Sequence, residues 1–293
     1  MTPSARQQGS NQPRTRRLAL AMVGSLVLGL VASTPHLAAA MDRPAAGAPE
    51  PTDELAADRA KMTAAVLEEA NTAYQAGDYA RAVALYRLVL ERGIRNGHLY
   101  YNMGNAYHRL GDVGHAIYNY LMAQCYLPRD GDVRANLTYA RDQVRDRLDP
   151  MPSPWWHRVM FWHDQVSDHE LAVATVVLNT MFWTLLAFRW FRHRPGLGWA
   201  IALTGILTFL STATAVEKLW RYTHHPVAVV LAEELSVRSG MDVNSVRLFV
   251  LHAGAEVRVG KMGSGDWIRI DLPDGKRGWV ERRFLGIVSP LED

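Results

Sequence analysis

The chain of 293 residues is 48% hydrophobic and 21% charged, with 32 basic against 29 acidic side chains, a formal charge of +3 and one cysteine. That apolar share excludes a disordered chain, and a lone Cys125 excludes an intrachain disulfide framework. So small a basic excess argues against a dedicated nucleic-acid binder, which concentrates its cations on one face.

The apolar residues arrive in blocks. Residues 18–31 form the first, behind Arg14, Arg16 and Arg17 and ahead of Ala38-Ala39-Ala40. A basic start, a short apolar centre and a small-residue exit read as a signal peptide over residues 1–40, cut after Ala40. Residues 18–37 are also just long enough to act as an uncleaved N-terminal anchor. Either reading sends the chain to the bacterial inner membrane. Residues 41–58, rich in Pro, Ala, Gly and acids, read as a linker.

From residue 59 to 149 the pattern is helical and repeats. Gly77-Asp78-Tyr79 recurs as Gly111-Asp112-Val113, an offset of 34, and at the same offset Ala70 matches Gly104, Ala82 matches Ala116, and Tyr86 matches Tyr120. The small residues let two antiparallel helices approach, the tyrosines fill the space between repeats, and the glycines make the turns. The stretch resembles a tetratricopeptide domain. Residues 130–148, with Val133, Leu137, Ala140 and Val144 on one stripe, read as a solvating cap helix. The resemblance implies a concave protein-binding groove containing Asn71, Tyr74, His98, Tyr101, Asn102, Asn105, His108 and Arg109. Asn71 and Asn102 fall where some such domains grip a terminal carboxylate. Leu67, Asp132 and Asn136 replace the basic residues of that clamp, which leaves general peptide binding as the expectation.

Residues 171–188 and 197–216 carry no charged side chain, and each is close to the ~20 residues of a membrane-spanning helix. The loop between them, 189–196, holds Arg189, Arg192 and Arg194, which places it in the cytoplasm by the positive-inside rule. The hairpin then returns both large polar regions to the periplasm. Seven of the nine tryptophans (Trp155, Trp156, Trp162, Trp183, Trp190, Trp199 and Trp220) fall in or beside it, and residues 154–170 read as an interfacial segment.

Residues 226–288 are β-rich in short runs at 227–231, 248–251, 256–259, 267–272 and 278–280, with turn residues between, as in a small antiparallel barrel. Leu235-Ser-Val-Arg-Ser-Gly240, Gly254-Ala-Glu-Val257, Gly265-Asp-Trp-Ile268 and Asp274-Gly-Lys-Arg-Gly-Trp-Val280 resemble the bacterial SH3-like domain. The resemblance implies an arginine and glycine closing the opening loop, two tryptophans packing the barrel, and a Gly-Trp pair starting the last strand. Members bind peptidoglycan stems or proteins, so Trp267 and Trp279 are either core or ligand face.

The fold class is thus a multidomain membrane protein: an all-α tetratricopeptide repeat domain, a two-helix transmembrane hairpin and a small all-β SH3-like barrel. No catalytic, cofactor or metal constellation emerges. His157, His163, Asp164 and His169 lack metal-ligand spacing, His224-His225 read as a boundary pair, and Cys125 reads as a small buried hydrophobe. There is no phosphate loop, GxSxG or HExxH. The expectation is a protein that is not an enzyme.

The order of segments over residues 60–288, with Asp132-Val-Arg-Ala-Asn-Leu-Thr-Tyr-Ala-Arg141, resembles the BatE-type proteins of the Bacteroides aerotolerance operon. That resemblance implies partners among von Willebrand A-type membrane proteins and a MoxR-type ATPase. The expected function is an inner-membrane scaffold with both modules in the periplasm. The alternative is a peptidoglycan-binding sensor or accessory of cell-wall hydrolysis.

Overall fold

The computed structural model describes residues 53–146, 148, 160, 162–192, 194–263 and 265–290. The signal or anchor at 1–40, residues 41–52 of the expected 41–58 linker, and Trp155, Trp156 and His157 lie outside the described residues, while 53–58 belong to the first helix rather than to a linker. One compact unit contains Val176–Thr208; the other joins Asp53–Thr175 to Phe209–Asp293.

Five helices open the second unit: α1 (Asp53–Gln75), α2 (Tyr79–Glu91), α3 (Gly97–Arg109), α4 (Val113–Tyr126) and α5 (Gly131–Asp142). The 34-residue offset governs their caps as well as their cores. Asp78 and Asp112 accept from Arg81 N and His115 N at 3.1 and 3.0 Å, which starts α2 and α4. Asn96 and Asp130, again 34 apart, cap α3 and α5 in the same way. Gly77 and Gly111 turn the chain at φ +80° and +81°, a region that side-chain-bearing residues avoid. Ala70, Ala82 and Ala116 are fully buried, and a Cβ on Gly104 would stand 2.6 Å from the Tyr120 ring. The helices therefore pack at a distance that only small residues permit.

α5 departs from a solvating cap. Val133, Leu137 and Ala140 are buried as its stripe requires, but its charged end is docked on the C-terminal domain. Arg141 reaches Glu256 through Nε and Nη2 at 2.6 and 2.8 Å. Just beyond, Asp146 accepts from the His252 main-chain N at 2.6 Å and lies 3.0 Å from its Nδ1. Val144 packs where a Cβ on Gly254 would fall.

Two long apolar helices follow, α6 (Asp168–Phe191) and α7 (Pro195–His224), each running past its uncharged stretch. Ser167 and Glu170 form a reciprocal capping box at the start of α6. Both helices are long and apolar enough to cross a membrane. A soluble core helix would be mostly buried, whereas the most apolar windows here are 6% and 11% buried. Val177 and Phe209 are 58% and 72% exposed. Such outward apolar faces fit lipid better than water.

The C-terminal domain is one antiparallel seven-stranded sheet of order β3-β2-β6-β5-β4-β1-β7. Its strands are β1 (Val227–Val230), β2 (Glu234–Arg238), β3 (Arg247–His252), β4 (Glu256–Met262), β5 (Trp267–Asp271), β6 (Arg277–Glu281) and β7 (Leu285–Val288). Val237, Val257, Ile268 and Ile270 form its core. β2 and β7 fall outside the β-rich runs read from sequence. The Gly278-Trp279 pair lies within β6, and β7 follows it. Gly278 is bare because a Cβ would stand 2.4 Å from Val237, where β6 and β2 meet.

Candidate functional sites

The anticipated groove residues sit on α1 and α3, and a polar ladder ties most of them together. Asn71 accepts from the Tyr86 hydroxyl at 2.8 Å and from Asn102 Nδ2 at 3.5 Å, the outer limit of a hydrogen bond. One repeat later Asn105 accepts from the Tyr120 hydroxyl at 2.8 Å and from Asn136 Nδ2 at 2.9 Å. Asn136 also donates to Tyr101 at 3.1 Å. Tyr74 packs edge-on against Tyr79, and His108 lies against Tyr139 and within 3.1 Å of Gln143. His98 and Arg109 are exposed. The recess beside this ladder, about 430 Å³, gathers Asn71, Tyr74 and Asn102 around Glu68 and has no cation in its lining. An acidic recess whose asparagines already serve neighbouring repeats is poorly arranged to grip a carboxylate.

On the C-terminal domain, residues alternate inward and outward along β5 and β6. Ile268, Ile270, Gly278 and Val280 point into the core, while Trp267, Arg269, Trp279 and Glu281 occupy the outer face, with Arg269 opposite Trp279. Both tryptophans are half-buried. A Cβ on Gly263 would stand 2.6 Å from both the Met241 sulfur and the Trp279 ring, so those side chains converge. The exposed Met241, Val243, Val246 and Leu248 extend this apolar strip. The loop that carries it is held by Arg238, which donates to Ser245 O at 2.9 Å, and by Ser245, whose hydroxyl donates to Gly240 O at 3.0 Å. An outward tryptophan beside apolar side chains and arginines is a surface suited to a peptide.

At the end of the two long helices, His163 is 0% exposed and bonds Asp164 at 2.9 Å and Glu217. Lys218 donates to Val166 O at 2.6 Å and to Asp168 at 3.0 Å. Lys218 is 7% exposed and its charge is met by Asp168, as burial demands. His169 is exposed and apart from this cluster, and among the described residues no group of three or more His, Cys, Asp or Glu could hold a metal ion. His224 stacks on Trp220. Burial pushes the Cys125 thiol up to about 12, so it stays protonated and a poor nucleophile at neutral pH.

Sequence reasoning missed a recess of about 660 Å³ between the helices and the C-terminal domain. Its lining includes Arg87, Arg95, Arg282, Arg283 and Asp266, and His115 in the same wall pairs with Asp112 at 2.7 Å. Arg87 donates to the Tyr107 hydroxyl and lies over its ring, 5.7 Å from the centroid. Burial holds the Tyr100 and Tyr107 hydroxyls above the usual phenol range despite the nearby Arg95 and Arg87, so they remain neutral donors. Asn119, 2% exposed, donates to His115 O at 2.8 Å, yet its Oδ1 has no hydrogen-bond partner among the described residues. The only sequence-level trace of this site was the Arg282-Arg283 pair.

The described residues form a helical region docked on a small antiparallel β-domain, with two long apolar helices between them in the chain. Residues 233–286 match the bacterial SH3 domain, a peptidoglycan- or protein-binding module. No curated protein matches the chain.

Proposed function

We propose that the chain is a non-enzymatic scaffold of the bacterial inner membrane, presenting a periplasmic tetratricopeptide domain and the SH3-like domain to membrane-protein partners. The observation that carries this reading is the docking of the two domains on each other. Arg141–Glu256 and Asp146–His252 join modules that lie on either side of the long helices in sequence. A hairpin across a bilayer brings its two ends to the same side, where such contacts form. The 34-residue recurrence of caps, turn glycines and buried tyrosines supports the tetratricopeptide assignment. Two modest binding surfaces on one anchored chain gain from high effective concentration.

The BatE-type resemblance directs the search toward von Willebrand A-type membrane proteins and a MoxR-type ATPase, in aerotolerance or envelope stress. Gentle crosslinking of the tagged protein, detergent extraction and mass spectrometry test this. Recovery of such partners, reduced when either module is deleted, is expected; recovery unaffected by both deletions sinks the scaffold reading. Reporter fusions at Arg192 and after Asp293 test the topology. An exported reporter active at Arg192 overturns it.

A second reading is favoured by the outward Trp267 and Trp279: a cell-wall sensor or accessory of hydrolysis that reads peptidoglycan. Sedimentation with purified sacculi, lost on Trp267→Ala or Trp279→Ala with the fold intact, would favour it over the scaffold.

A further inference from the structure

Asn179 stands midway along the uncharged stretch of α6, at the depth where a spanning helix meets only hydrocarbon. Its side chain is half-buried and makes no hydrogen bond to any other described residue. Hydroxyls at similar depth behave differently. Thr180 and Thr184 donate to Val176 O and Thr180 O at 2.8 and 2.7 Å. On α7, Thr204 and Thr208 donate to Ala200 O and Thr204 O, both at 2.8 Å. Those side chains are satisfied on their own helix, and the Asn179 amide is not. Asparagine is too short to carry its amide to the headgroups from midway, so an unpaired amide here costs free energy that a second helix would remove.

The face around Asn179 has the form of a helix seam. Val176, Trp183 and Trp190 recur seven apart, as do Asn179 and Leu186, and together they make one stripe in steps of three and four. Val176, Leu186 and Trp190 are 48%, 38% and 62% exposed, so α7 does not cover the stripe. It packs on the adjoining side, where the Phe182 ring lies against Gly205.

The amide itself selects the occupant. It carries donor and acceptor on one group and so complements a copy of itself. A twofold axis along the bilayer normal sets two α6 helices parallel with both amides at one depth, each giving and receiving a hydrogen bond. We propose that the chain pairs with a second copy of itself along this stripe of α6, through Asn179 of each. The proposal rests on the reading of α6 as membrane-spanning.

Cysteine crosslinking of the full chain in isolated membranes tests it, with Cys125→Ser as the background. On oxidation Leu186→Cys, on the stripe, should give a species of twice the chain's mass. Met181→Cys, at a position 48% exposed on the opposite face, should not. Adding Asn179→Leu should lower the Leu186→Cys yield about tenfold, as expected for interhelical amide hydrogen bonds in lipid, while Asn179→Gln keeps it. Leucine favours insertion at this depth, so the loss would not reflect a missing helix. Sedimentation of the chain in detergent repeats the comparison without engineered thiols: a dimer for the natural sequence, a monomer for Asn179→Leu. Equal crosslinking from both faces, or pairing indifferent to Asn179→Leu, overturns the proposal. So does a crosslinked species of any other mass, which assigns the stripe to a different membrane protein. A chain that resists alkaline carbonate extraction yet stays monomeric overturns this proposal alone. Release by carbonate overturns the spanning reading and the proposal with it.

Discussion

The two sides of α3 carry polar residues to opposite ends. On one side Asn102 and Asn105 join Asn71 and Asn136 in a ladder whose acceptors are filled by tyrosine hydroxyls and neighbouring asparagines. On the other, Tyr100, Met103 and Tyr107 border a cationic recess where an asparagine on α4 lacks a donor. The ladder side has the residue types associated with recognition and spends them on cohesion between repeats. The recess side has no recognisable motif, yet it gathers four arginines beside Asn119 Oδ1, a buried acceptor with no hydrogen-bond partner among the described residues. Whether a polar group's hydrogen bonds are already satisfied says more about binding than its residue type.

Variants separate the two sides. The largest effect is expected for Tyr120→Ala, which empties a buried aromatic position and leaves Asn105 short of a donor. It should cost about 3–5 kcal/mol in chemical denaturation, whereas Tyr120→Phe should cost only about 1 kcal/mol. Equal losses would mean that the ladder's hydrogen bond, not ring packing, holds the repeats. Gly104→Ala pushes a methyl group into the same ring and should cost about 1–3 kcal/mol by thermal melting.

Alkaline titration addresses the ladder without mutation. Burial first, then the charge of Tyr74, pushes the Tyr86 hydroxyl from 10.0 up to about 12. The folded state therefore holds this proton after the unfolded state has released it. The stability it contributes is whole below pH 10 and declines by about 1.4 kcal/mol per unit as pH rises from 10 to 12. Tyr86→Phe should flatten that part of the denaturation-versus-pH curve; an unchanged slope contradicts the assignment. Asp146→Ala, which removes a docking contact rather than a core side chain, should cost about 1–2 kcal/mol. It should speed hydrogen exchange at the His252 amide, which donates to Asp146, whereas the ladder variants leave that exchange unchanged.

The repeat was legible because each turn of its architecture leaves a residue-type signature: glycine at positive φ, alanine at a close approach, tyrosine between layers. The same offset also marks Asn96/Asp130 and Asn102/Asn136, so α5 could have been read as the opening of another repeat rather than a cap. Most strands were legible as apolar runs. β2 and β7 were not, because Ser236 and Arg238 interrupt one and Gly286 divides the other. The interdomain recess left almost no trace, since Arg87 and Arg282 come to line one recess only through docking. That docking is made by Arg141 and Asp146, charged residues that read as solvated surface. Complementary charge across a domain boundary has no period, and so nothing in the spacing announces it.

The link between Asp146 and His252 spans 106 residues. Closing a flexible loop of that length costs about 4 kcal/mol of chain entropy. Here the intervening chain runs out along α6 and back along α7, with Phe182 against Gly205 and Trp162 Nε1 bonded to Thr214 at 3.3 Å. Contacts between the outgoing and returning helices hold the ends of that loop near one another, so the two domains dock as tethered neighbours rather than as the ends of a free coil.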